Sequence, residues 1–121
     1  TPSLTLSHSG ALLMRLRYLA VFSGRIKADL AVTGGVHSCI DAVKAIMCGA
    51  NAVQIVSALL ERGPNYLTTL RNELAKWLEE HEYESLKQMH GSMNLTKCPD
   101  PRAFERANYM HVLQSWQGAS L

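Results

Sequence analysis

Two short apolar runs, Ala28-Asp29-Leu30-Ala31-Val32-Thr33 and Ala52-Val53-Gln54-Ile55-Val56, sit between segments of helical periodicity, and this alternation limits the fold more than any other feature. Both runs read as brief strands of the buried type. Upstream of the first, Leu12, Leu13, Leu16, Leu19 and Ala20 recur at helical spacing between Ala11 and Phe22, with Arg15 and Arg17 off the stripe and Gly24 as the stop. Between the runs, Ile40, Val43, Ile46 and Met47 share a face, Asp41 and Lys44 lie off it, Ser38 suits an N-cap and Gly49 a terminator. After the second run, Ser57 opens a short Ala58-Leu59-Leu60 turn. A helix starting at Pro64 then carries Leu67, Leu70, Leu74, Trp77 and Leu78. Helix, strand, helix, strand, helix with short connections is the pattern of βαβ units on a parallel sheet, hence an α/β fold. Two strands are too few for such a sheet, because its edges and the apolar helix faces would stay bare. The chain also opens on Thr1, in a stretch, TPSLTLSHSG, that reads as a loop already in progress. The expectation is a piece of a longer chain.

At 121 residues and 47% hydrophobic content, one modest domain is expected. Twelve Lys and Arg against ten Asp and Glu leave a net charge of +2, without the basic excess of a nucleic-acid binder. No apolar run approaches the roughly 18 residues of a membrane span. The N-terminus lacks a signal-peptide pattern, so a cytoplasmic location and no membrane association are expected. Cys39, Cys48 and Cys98 have neither CxxC nor Cys/His ligand spacing, which points to reduced thiols and no metal site. In the last third, Glu79 to Glu84 is a charged run, Ser85 to Met89 a short helical segment and Gly91 to Pro101 turn-rich. A helix from Ala103 to Trp116 would present Phe104, Ala107, Met110 and Leu113 on one face. Residues 1–80 are therefore expected to form the body and 81–121 a helical extension packed on it.

The first strand ends in Gly34-Gly35 directly before a helix, where bare backbone N–H groups can surround an anion with help from the helix N-terminus. The second ends at Val56-Ser57 before another short helix, which adds amides and a hydroxyl. Two consecutive strand ends of this kind form the phosphate grip of a (β/α)8 barrel, after strands seven and eight, with Ser57 to Leu60 as the extra helix. A turn that needs positive φ explains the glycines equally well.

The stretch VTGGVHSCIDAVKAIMCGANAVQIVSALLERGP resembles the closing segment of the dihydroorotate dehydrogenase family, (β/α)8-barrel flavoproteins that hold FMN by its phosphate. The flanking LLMRLRYLAVFSGRIKADLA, WLEEHEYESLKQMHGSMN and CPDPRAFERANYMHVLQSW are similar to bacterial dihydroorotate dehydrogenase-like proteins. The resemblance implies the last two strands of the barrel with their helices, plus a C-terminal helical appendage. It places Gly34 and Gly35 on the family's phosphate-binding glycine pair. Val56 and Ser57 fall on its Gly-Thr, a departure that puts a side chain where the family has none, and Gly10 falls beside the flavin. The family's catalytic base, a Cys or Ser in the first half of the barrel, its flavin-side Lys and its pyrimidine-holding Asn residues have no counterpart here, so no catalytic residue is assigned. The implied activity of the longer protein is oxidation of a dihydropyrimidine such as dihydroorotate to orotate, in pyrimidine biosynthesis. The base would abstract a proton while a hydride passes to the flavin. The rest of the barrel, or self-association, would complete the fold.

Cys39 lies in the first turn of a helix, where a dipole can lower a thiol pKa, but core packing is favoured. His37 either reaches a phosphate or flavin edge or is an exposed helix-entry residue, and the second is favoured. Gln54 points into a barrel or is held by neighbouring backbone. Trp77, Phe104 and Trp116 read as core, Arg62 as a solvent-exposed flank, and His81 and His90 as too isolated for metal. Two other classes stay open: a phosphate-gripping barrel segment of a non-redox enzyme, and a non-catalytic half-barrel scaffold.

Overall fold

The computed structural model describes residues 3, 5–94, 100, 102 and 106. A 3-10 turn (Ser9–Ala11) leads into α1 (Leu12–Phe22), followed by β1 (Ala31–Thr33), α2 (Cys39–Cys48), β2 (Ala52–Gln54), α3 (Ser57–Arg62), α4 (Tyr66–Glu80) and α5 (Leu86–Met89). The strands pair in parallel, Ala31 opposite Ala52, Val32 opposite Val53 and Thr33 opposite Gln54. The fold is thus α/β, as the alternation predicts. Both strands are shorter than the apolar runs. The ladder is preceded by a tie in which Asn51 N–H donates to the Leu30 carbonyl at 2.7 Å and Leu30 N–H to Asn51 Oδ1 at 2.9 Å. It ends where the backbone turns away at Gly34 and Val56.

The capping signals around α2 hold in full. Asp41 N–H donates to Ser38 Oγ at 3.3 Å and Ser38 N–H to Asp41 Oδ2 at 3.1 Å, a reciprocal capping box. Gly49 closes the helix at φ +115, and a side chain there would run into Ser23. The other helix boundaries shift. α3 extends to Arg62, beyond the expected Leu60, before Gly63 N–H closes onto the Leu59 carbonyl at 2.8 Å. α4 begins at Tyr66 rather than Pro64, because Gly63 to Asn65 form a tighter turn of i→i+3 bonds.

α2 is buried on two sides. One side joins Leu12 and Leu19 of α1, Val32 of β1, Val36 and Ala50 around Ala45, with Leu16, Ala42, Cys48, Val53 and Ile55 packed on them. The other places Cys39 and Val43 against Met89 of α5 and against Leu74, Trp77 and Leu78 of α4. Between the two lies a solvent strip shared by Ile40 and Lys44, so Ile40, expected on the buried face, is 45% exposed. Leu13 of α1, also expected inside, is 67% exposed. Trp77 is half-buried and stacks on His81 at 3.9 Å and on Tyr83 at 5.8 Å. Beyond α4 the chain stays tied to the end of α2. Gly91 N–H donates to the Ile46 carbonyl at 3.0 Å, Met93 N–H to Met47 at 2.8 Å, and a His90 ring nitrogen lies 3.0 Å from the Gly49 carbonyl. The helix expected from Ala103 to Trp116, apart from Arg106, lies outside the described residues, as does Cys98.

Candidate functional site

β1 runs into Gly34 at φ +84 and Gly35 at φ +86, both in the left-handed region that side chains avoid. Their surroundings differ. A Cβ on Gly34 would lie 3.0 Å from the Arg15 guanidinium, a movable neighbour, whereas one on Gly35 would lie 2.6 Å from the backbone nitrogen of Leu12. α1 is seated directly against this turn, so Gly35 is required by conformation and by close approach together.

That seating brings a third segment to the two strand ends. Gly35 N–H donates to Ser7 Oγ at 3.2 Å, the Ser7 hydroxyl meets Ser57 Oγ at 3.0 Å, and Ser7 N–H donates to Ser57 Oγ at 3.2 Å. Ser57 is the first residue of α3. The loop before α1, the turn after β1 and the start of α3 therefore converge on one small cluster of hydrogen-bonding groups, with two hydroxyls free to rotate.

The amides at the start of α2 are directed elsewhere. His37 N–H and Ser38 N–H both donate to the buried Asp41 carboxylate, at 3.0 and 3.1 Å, and Ser9 Oγ donates to the same oxygen at 3.2 Å. The helix N-terminus expected to welcome an anion is already neutralised by the chain's own carboxylate. What faces the strand ends is the Gly35 N–H and the two serine hydroxyls. Positive charge beside the turn comes from Arg15, whose Nη1 donates to the Ala11 carbonyl at 2.6 Å.

Of the residues singled out in the sequence, Gly35 and Ser57 are brought together through Ser7, and Gly34 and Val56 adjoin them. Val56 has φ −126, on the ordinary side, so a side chain is tolerated where the family's pattern has glycine. Gly10 lies in the 3-10 turn with no positive φ, and a Cβ there would meet the His8 ring at 2.9 Å. Ser7, three residues upstream of it, makes the contact. Gln54 is exposed. His37, expected outside, is turned in. Its side chain is 12% exposed, Nδ1 stands 3.9 Å from Glu61 Oε2, and Nε2 is buried without a hydrogen-bond partner among the described residues. Cys39 is buried, and burial first and Glu73 second push its thiol above the ordinary 9.0. Burial raises Cys48 likewise. Both behave as packed thiols. Among the described residues no three His, Cys, Asp or Glu side chains form a metal-holding group, and no helix is long and apolar enough to cross a membrane.

Comparison with known proteins bears on this geometry. The family model described as dihydroorotate dehydrogenase matches residues 12–78. The chain is 30% identical over 80 residues to dihydroorotate dehydrogenase A (fumarate) of Lactococcus lactis subsp. lactis, covering 64% of the chain and 26% of that protein. A Streptococcus uberis protein provisionally given the same name is 42% identical over 62 residues, covering 51% of the chain and 20% of that protein. The matched part thus spans about a fifth to a quarter of these relatives' length.

Proposed function

This chain belongs to the dihydroorotate dehydrogenase family, and we propose that it supplies the phosphate-holding end of an FMN site in an oxidoreductase acting on a dihydropyrimidine. The observation that carries the proposal is the convergence of Gly35 N–H, Ser7 Oγ and Ser57 Oγ from three separate segments. These residues suit a phosphate. Each offers a hydrogen-bond donor, the paired glycines leave no side chain in the way, and the nearby carboxylate of Asp41 is occupied by donors of its own. The Ser7–Ser57 bond would open as both hydroxyls rotate to donate to phosphate oxygens, and Arg15 would add charge beside the turn.

In this reading β1 and β2 are the last two strands of a (β/α)8 barrel, whose phosphate sites gather at the C-terminal ends of the strands. When bound, the flavin would supply the hydride acceptor. The residues of this chain would hold its phosphate through the two rotatable serine hydroxyls and the Gly35 N–H, which would be released from Ser7 Oγ, and would contribute no proton-transferring group. Oxidation of dihydroorotate to orotate is the reaction the relatives' names suggest, with its acid–base residues outside this segment.

The test uses the longest natural chain that contains these residues, titrated separately with FMN and with riboflavin, which lacks the phosphate. Ser7→Ala and Ser57→Ala should each weaken FMN several-fold, as loss of a hydrogen bond to a charged group does, and leave riboflavin unchanged. Wild-type affinities that do not distinguish the two ligands would sink the phosphate assignment.

A further inference from the structure

Ser57 can reach Gly35 through Ser7 only if α3 is held in place relative to the turn after β1, and α3 is only six residues long. Its N-terminal contact to Ser7 is a pair of bonds to a loop, not to the turn itself. That loop reaches the turn through Ser7 Oγ, which accepts from Gly35 N–H, and a second link is made on the other side, through Tyr66 in the first turn of α4. The Tyr66 hydroxyl donates to the backbone carbonyl of His37 at 2.7 Å and accepts from Arg62 Nη1 at 2.9 Å. The Arg62 guanidinium also stands 4.7 Å from the centre of the Tyr66 ring. Glu61, next to Arg62, faces His37 Nδ1 at 3.9 Å. One end of α3 is thus fastened to the segment that carries Gly35, and the other end carries Ser57.

From this we infer that Tyr66 is a positioning residue for the phosphate site, setting the spacing between Ser57 and Gly35 without touching a ligand. The inference rests on the phosphate reading above. The charge of Arg62 polarises the phenol and makes it a stronger donor to the His37 carbonyl, so the two bonds reinforce each other. A carbonyl held this way fixes the backbone two residues from Gly35. Ser57 and Tyr66 belong to one short α3–α4 hairpin, so fastening Tyr66 limits where the Ser57 hydroxyl can sit. A site whose donors wander by even a fraction of an ångström loses the advantage of preorganisation.

The experiment is Tyr66→Phe in the longest natural chain containing these residues, with FMN and riboflavin titrated by flavin fluorescence and thermal unfolding followed in parallel. The phenylalanine keeps the ring and its packing and removes only the hydroxyl. The expected result is a rise of several-fold, up to about tenfold, in the FMN dissociation constant, with riboflavin affinity unchanged. Arg62→Gln, at an exposed position, should move FMN in the same direction by less, and it carries the same comparison if Tyr66→Phe does not fold. Two results overturn the brace while leaving the phosphate reading standing: a wild-type preference for FMN that both variants preserve, or an equal loss of FMN and riboflavin together with lower thermal stability. If the wild type binds FMN no more tightly than riboflavin, the phosphate reading falls and takes the brace with it.

Discussion

Cys39 occupies the first position of a well-capped helix, where a free helix dipole lowers a thiol pKa, yet its thiol is pushed up. Burial against Val43 and Met89 outweighs the dipole, and the charge of Glu73 adds to it. The consequence is a pH dependence of determinate sign. A thiol whose folded pKa lies above its unfolded value contributes stability that is complete below the unfolded value of 9.0 and is lost as pH rises through the folded one. Urea unfolding from neutral pH to about pH 10 should show an alkaline loss of stability that Cys39→Ala reduces. Cys48, raised in the same direction by burial, should keep some of the loss in place. An unchanged alkaline slope in the variant would mean that Cys39 ionises as freely folded as unfolded. The packed state of Cys39 agrees with the core packing favoured from the sequence. The inward turn of His37 was not legible there, because it depends on Tyr66 and Glu61, which lie 29 and 24 positions further along the chain.

At the scale of elements, whatever depended on neighbours in sequence could be read. Ser38 and Asp41 are three residues apart and cap α2 reciprocally, and Gly49 ends it. What depended on a helix having two partners could not. Periodicity gives one apolar stripe, but α2 is covered by α1 and the strands on one side and by α4 and α5 on the other, so Ile40 falls in the strip between. The same limit hid Ser7. Its link to Ser57 spans fifty positions, and a serine in a loop carries no spacing signal. The seating of α1 against the end of β1 makes a prediction that separates the two glycines. Alanine at either costs about 1 kcal/mol for its left-handed conformation. At Gly34 the displaced neighbour is a mobile arginine, whereas at Gly35 it is the backbone of Leu12. Gly35→Ala should therefore destabilise by about 2 kcal/mol or more and Gly34→Ala by about 1 kcal/mol, read from denaturant midpoints. Equal losses would mean that α1 does not press on the turn in solution.

At the scale of the whole molecule, the sheet among the described residues has two strands. β1 pairs with β2 on one side; along its other side runs a groove of about 310 Å³ lined by Tyr18, Leu19 and Phe22 of α1 and by Leu30 to Thr33. Tyr18 and Phe22 stack on each other there at 6.0 Å and remain 55% and 44% exposed. A strand edge beside apolar helix surface is a template for another strand, and parallel sheets are found almost only with both faces covered. Two strand-type runs stand in the sequence and the structure pairs them, so the parallel pair itself was legible. Which edge stays open was not, because it follows from the side on which β2 docks. If the proposed barrel reading holds, a neighbouring strand of the longer protein would fill the groove. The 121-residue chain alone should then self-associate through it, and sedimentation velocity should show a larger species growing with concentration. Tyr18→Lys combined with Phe22→Lys should shift that equilibrium toward monomer, because two like charges would have to be buried against a strand. In the longest natural chain the same pair should instead lower stability if a strand fills the groove there. A chain of 121 residues that stays monomeric and cooperatively folded at high concentration would show that the edge is protected by its own extension, leaving the groove without a partner strand.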